Sequence, residues 1–160
     1  MNGCWTLPRI IAFSRLALLN RLEYLISNFL IPFGVVEEIK AGPPRDPAVG
    51  WLADLDTSHL VRVETVSQIV ASWDLGRGES EILTLCHEHP GTGAVLDDLT
   101  ARKCATSLGI PVRGTLALLV TAKRRGVIPE VAPLIDALPQ VGFRISSHLA
   151  AEVLRLAGEE

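Results

Sequence analysis

Two short acidic stretches hold the side chains best suited to chemistry: residues 74–81, DLGRGESE, and residues 95–102, VLDDLTAR. Glu79 and Glu81 open an amphipathic run expected to be helical over 79–89. Asp97 and Asp98 follow Ala94-Val95-Leu96, which reads as a buried parallel strand. Chemistry in an open α/β sheet gathers where strands end and helices begin, so both stretches are expected to converge on one crevice. Clustered carboxylates repel unless protons or cations offset their charge, and hard oxygen ligands suit Mg²⁺ or Mn²⁺.

The individual acids differ in what else they can do. Glu79 and Glu81 lie roughly 200° apart around a helix, so they cannot both face one point squarely. One can bind a metal while the other caps the helix or answers its positive end. Asp98 can be the N-cap of a following helix, whereas Asp97 has no such local role. Glu37 and Glu38 end a helix that follows the strand Phe29–Ile31; Glu38 shares an edge with the apolar stripe and is the better inward candidate. Gly76 and Gly78 make a tight turn without forming a phosphate-loop fingerprint. His59, His87, His89 and His148 are isolated, and no Ser or Cys sits in a nucleophile context.

Strands alternating with helices must position these groups. Short strands are predicted at Phe29–Ile31, Leu60–Val63, Ala94–Leu96 and Ile110–Val112. Helices are predicted over 10–26 in one or two pieces, then 33–40, 46–52, 67–73, 79–89, 99–108, 115–125, 131–138 and 146–157. Asp46 should cap one of them, and Gly109 and Gly126 should close two others. The alternation implies a three-layer α/β/α sandwich around a central parallel sheet, in one domain spanning 1–160.

Composition narrows the function. The 160 residues are 48 % hydrophobic and 21 % charged, which excludes a disordered chain. A net charge of −3 argues against a surface devoted wholly to nucleic acid, but the charge is segregated along the chain. Arg102, Lys103, Arg113, Lys123, Arg124 and Arg125 cluster between Asp97 and Val127, and such groups can grip phosphates or favour helix C-termini. Cys4, Cys86 and Cys104 lack metal-ligand spacing and read as core thiols in a reducing cytoplasm. The apolar stretch 10–33 is broken by Arg15, Arg21 and Glu23, so neither a membrane span nor a signal peptide is expected.

Four segments taken together resemble the PIN-domain family. They are Ile31-Pro32-x-x-Val35-x-x-Glu38, Gly76-x-Gly78-Glu79-x-Glu81, Leu96-Asp97-Asp98-x-x-Ala101-Arg102 and Gly114-Thr115-Leu116-x-Leu118-Leu119-x-x-Ala122-Lys123-x-x-Gly126. The subgroup is akin to VapC-type toxins and is often labelled a domain of unknown function. The resemblance implies a compact α/β/α sandwich whose carboxylates hold Mg²⁺ or Mn²⁺ for phosphodiester hydrolysis of RNA. Carried over by position, the acidic site is Glu38, Glu79, Glu81, Asp97 and Asp98, with Glu38, Glu81, Asp97 and Asp98 as metal ligands. Arg102, Lys103, Lys123 and Arg124 become the RNA-phosphate contacts.

The chain departs from that pattern at its start. The family opens on an apolar strand ending in an aspartate, and here the aspartate's place falls on Trp5 or Thr6; no Asp precedes Asp46. The first strand is expected to be truncated or atypical, through a late start or through degeneration of the site. The function expected is a divalent-metal-dependent endoribonuclease, the toxin of a toxin–antitoxin pair, with weakened activity. RNA, an antitoxin and a second copy of the chain are its expected partners, the last through apolar helices 10–26. The alternative is a non-catalytic PIN-like module that binds RNA or a protein.

Overall fold

A computed structural model describes residues 2–4, 7–26 and 28–159. In chain order these form β1 (Asn2–Cys4), α1 (Leu7–Arg15), α2 (Leu19–Glu23), β2 (Asn28–Pro32), α3 (Phe33–Ala41) and α4 (Pro47–Asp54). Next come β3 (Leu60–Val61), α5 (Gln68–Ala71), α6 (Arg77–Glu88), β4 (Gly93–Val95) and α7 (Leu99–Ser107). The chain continues through β5 (Val112–Arg113), α8 (Thr115–Arg124), α9 (Ala132–Ala137) and α10 (Ser147–Ala157). The strands form one parallel sheet in the order β3-β2-β1-β4-β5, so the fold is α/β. Trp5 and Thr6, where the family's first aspartate was sought, lie outside the described residues.

β1 is three residues long and sits at the middle of the sheet. Gly3 pairs with Phe29 on one side and Gly93 on the other, and Cys4 with Leu30 and Ala94. Every backbone group that a central strand offers its neighbours therefore depends on this short segment. β3 ends sooner than the alternation at 60–63 predicts, because its partner β2 runs out. Pro32, opposite Val61, lacks an N–H and leads directly into α3. Arg62 instead lays its guanidinium 4.6 Å from the Phe33 ring centroid. β5 likewise falls later than predicted, at the two residues that pair with Ala94 and Val95.

Local signals set most helix ends. Asp46 caps α4 through Ala48 N at 3.0 Å and also binds Arg15 on α1 at 2.6 Å, tying two helices together. Gly109 and Gly126 adopt positive φ (67° and 71°) just beyond α7 and α8, the conformation that favours glycine at a helix end. Ile31, Ile82, Leu83, Leu96, Leu118 and Leu119 are fully buried and join sheet and helices into one core. Ile10, Phe13, Leu18, Leu19, Leu25 and Ile26 are buried in that same core. Within the same segment Tyr24 is exposed. Cys86 and Cys104 are buried, and burial pushes the Cys104 thiol up, which suits an inert core residue. Among the described residues, no helix is long and apolar enough to cross a membrane.

Candidate active site

The backbone itself singles out one place in the sheet. The chain passes from β1 to β2 and β3, then returns across β1 to β4, so strand order reverses between β1 and β4. Asp97 lies two residues past the end of β4, at the edge where ligands of open parallel sheets bind. Its two oxygens both turn to Thr115: Oδ1 accepts from the backbone N–H at 3.0 Å and Oδ2 from the hydroxyl at 2.6 Å. Gly114 precedes α8 and has no side chain with which to cap it, so Asp97 supplies that cap from another element. A Cβ on Gly114 would stand 3.1 Å from Asp97 Oδ1 and 3.2 Å from Arg102 Nη1, so the absence of a side chain lets the three groups meet. Arg102 Nη1 donates to the Leu96 carbonyl at 2.9 Å and holds the turn that carries Asp97.

Asp98 takes the capping role that its position allowed. Its Oδ1 accepts from Ala101 N at 2.8 Å, and the residue is exposed at the start of α7. The cap uses one of the two Asp98 oxygens.

The other acids meet where α3 crosses α6, and the two helices exchange carboxylates. Glu81 of α6 is buried, and its Oε2 accepts from Gly34 N, at the second residue of α3, at 2.7 Å. Glu38 of α3 accepts from the backbone of Gly78, at the second residue of α6. Neither helix has a side-chain cap from its own flank, because the capping positions are Pro32 and Gly76. Each is completed by the other. Two glycines make this possible: a Cβ on Gly34 would lie 2.6 Å from Glu81 Oε2, and one on Gly78 would lie 3.2 Å from Glu38 Oε2.

Electrostatics separates the three glutamates. Glu81 Oε1 accepts from Arg77 Nε at 2.9 Å, and Arg77 reaches on to Glu37 at 2.5 Å. Among the described residues, no cation is bonded to Glu38. Its carboxyl is raised above the ordinary 4.5, first by burial, then by the facing charge of Glu79, with Glu81 adding to it. The Gly78 bond and Arg77 offset part of that rise. Glu79, half-buried in the first turn of α6, leans over Gly76, whose built Cβ would sit 2.6 Å from Glu79 Oε2. The 200° separation of Glu79 and Glu81 is thereby resolved: Glu81 points into α3, while Glu79 lies over Gly76 and its charge acts on Glu38.

The basic candidates are likewise divided. Lys103 is exposed on α7. Lys123 Nζ binds Glu159 at 2.6 Å, and Arg124 Nη2 donates to the Leu156 carbonyl at 2.8 Å. Both side chains fasten α8 to the C-terminal helix, a role that spacing along the chain does not reveal. His59, isolated in the sequence, stacks on Phe29 with ring centroids 4.2 Å apart and has Nδ1 3.0 Å from the Phe29 carbonyl. Among the described residues, no three His, Cys, Asp or Glu side chains are grouped so as to hold a metal ion.

A protein-family model described as a PIN domain, DUF3368, matches residues 8–159. The chain belongs to the PIN-domain family. No curated protein and no solved structure matches it at a significant level. Membership suggests a nuclease-like function, and PIN domains generally use divalent metals. The donor set of this PIN domain fits a hard divalent ion in kind, since Glu38, Glu79 and Asp97 offer carboxylate oxygens alone. The carboxyl of Glu38 is raised first by burial and then by the charge of Glu79, and a cation would offset that charge. The absence of a three-sided protein shell is compatible with Mg²⁺, which commonly takes one or two carboxylates and fills its octahedron with water and substrate phosphate.

Proposed function

We propose that this PIN domain is a divalent-metal-dependent endoribonuclease of the VapC type, the toxin of a toxin–antitoxin pair. The observation that carries the reading is the carboxylate exchange between α3 and α6, which brings Glu38 beside Gly78 and Glu81 to Gly34, with Glu38's carboxyl raised by burial and then by the charge of Glu79. Crossovers between parallel strands are right-handed, so the order β3-β2-β1-β4-β5 implies helices on both faces of the sheet. On that three-layer arrangement, Asp97 lies past the carboxyl end of β4, beside the point where strand order reverses.

A divalent ion, when bound, supplies polarisation of the scissile phosphate and a water of lowered pKa. One or two of Glu38, Glu79 and Asp97 would hold it, with water and substrate phosphate as its other partners. Thr115 keeps Asp97 in a single orientation, and Arg102 keeps the Asp97 turn against β4. Lys103, exposed on the same helix as Arg102, is positioned to meet the phosphate backbone of an RNA.

Mn²⁺ titration and an RNA cleavage assay on wild type and Asp97→Asn test this reading. Wild type should be stabilised by Mn²⁺, and Asp97→Asn should lose most of that response and at least ~100-fold in cleavage. Equal metal response and equal cleavage in the two proteins would remove Asp97 from the site. A non-catalytic module that binds RNA or a protein is the second reading. It is favoured by the absence of a three-acid group among the described residues. That module would show no Mn²⁺ stabilisation in either protein.

A further inference from the structure

We infer that Glu81 is a positioning residue and not a metal ligand: it docks the start of α3 on α6 and so sets Glu38 opposite Glu79. The inference rests on the nuclease reading for its functional meaning, but its structural content stands apart from the metal. Both oxygens of Glu81 are engaged within the protein, Oε2 by Gly34 N at 2.7 Å and Oε1 by Arg77 Nε at 2.9 Å. Its side chain is 6 % exposed, against 58 % for Arg77. A carboxylate so enclosed has little surface left for an ion, whereas Glu38 and Glu79 are both partly exposed.

The geometry also states what Glu81 acts upon. Gly34 lies one turn before Glu38 on the same short helix, so whatever anchors Gly34 anchors the stem of Glu38. The reverse bond, from Gly78 to Glu38, closes the exchange. With Glu81 withdrawn, α3 has neither its own cap nor a borrowed one, because Pro32 offers no side-chain acceptor. Arg77 completes the anchor: linked to Glu81 and to Glu37, it joins the first turn of α6 to the middle of α3.

Two substitutions separate charge from anchorage. Glu81→Gln removes the charge but keeps an amide oxygen that accepts from Gly34 N, while the exposed Arg77 turns to Glu37 and water. Gly34→Ala keeps every carboxylate but brings a Cβ to 2.6 Å from Glu81 Oε2, which must leave its seat. Mn²⁺ affinity, measured with the metal alone by water-proton relaxation, should stay within ~3-fold of wild type in Glu81→Gln. In folded Gly34→Ala it should fall ~10-fold, the scale of losing a supporting residue around a metal ligand. If Gly34→Ala does not fold, Glu81→Ala takes its place, with the same loss expected because it too removes the cap.

The opposite pattern, weak binding in Glu81→Gln and normal binding in Gly34→Ala, would make Glu81 a ligand and overturn the inference. Normal binding in both would leave it a purely structural residue, and a comparable loss in both would show that the ion needs the Glu81 carboxylate itself in its seat; either result also overturns it. If wild type itself binds no Mn²⁺, the nuclease reading fails, and the ¹³C shift of the Glu38 carboxylate at pH 8 then decides the positioning claim. A shift moved in Gly34→Ala and unmoved in Glu81→Gln supports it, and any other pattern overturns it.

Discussion

Glu38 and Glu159 both stand near helix ends and both accept backbone N–H groups from another helix, yet their surroundings push them in opposite directions. Glu159, just beyond α10, accepts from Val131 N at 2.6 Å and Ala132 N at 2.7 Å, so it caps α9 from outside. Lys123 adds a 2.6 Å ion pair, and the carboxyl lies below its ordinary value, chiefly through that lysine. Glu38 also accepts a backbone bond, but it faces Glu79 and Glu81, and burial with that repulsion raises its carboxyl. The same residue type in the same capping role is architecture where a cation is built in and a candidate ion site where none is. Burial and the facing charge of Glu79 set Glu38 apart, whereas the bond from Lys123 sets Glu159.

The strongest way to break the α3–α6 region is steric. Gly34→Ala places a methyl group in the seat of a buried carboxylate and severs its bond to α3. We expect a loss of about 2–3 kcal/mol despite alanine's better helix propensity, read from urea unfolding. An unchanged midpoint would show that Glu81 relaxes without cost. The C-terminal region should break next most readily. Glu159→Ala removes the Lys123 pair and both acceptors at α9, so its thermal midpoint should fall, and Glu159→Gln should fall less because one acceptor remains.

pH sharpens the contrast because the two glutamates act in different windows. Glu159 is depressed in the fold, so its stabilisation is complete above the unfolded value near 4.5 and is lost as pH falls through the lower folded value. Glu38 is raised, so its contribution is greatest below 4.5 and is lost as pH rises through the higher folded value. Stability measured against pH should therefore lose its Glu159-dependent acid limb in Glu159→Gln. In Glu38→Gln the decline above 4.5 should flatten instead. The smallest effect belongs to Glu38→Gln at neutral pH without metal: a gain of a few tenths of about 1 kcal/mol, since its environment is partly solvated. A loss of stability there would mean that the Gly78 bond outweighs the repulsion.

Much of the scaffold was legible in the chain. Asp46, Asp98, Gly109 and Gly126 mark helix ends because their signals act within one to three residues of backbone. Apolar runs at 29–31 and 94–96 announced the strands flanking β1, and the four motif segments identified the family before any coordinates. Strand lengths were less legible. Whether 62–63 extends a strand depends on a partner thirty residues away, and Pro32 ends that partner.

What the chain alone determined is the inventory: which residues are acidic, which segments turn, and which faces are apolar, all consequences of covalent neighbours. Only the tertiary structure decided how each acid is used. Glu81 meets Gly34 across 47 residues, Asp97 meets Thr115 across 18, and Glu159 meets Val131 across 28. In each case a carboxylate completes a helix whose own flank supplies no side-chain cap. Periodicity carries no information about such pairings. They arise when packing brings an uncapped helix end beside an acid, and the backbone N–H groups there favour negative charge wherever along the chain it originates.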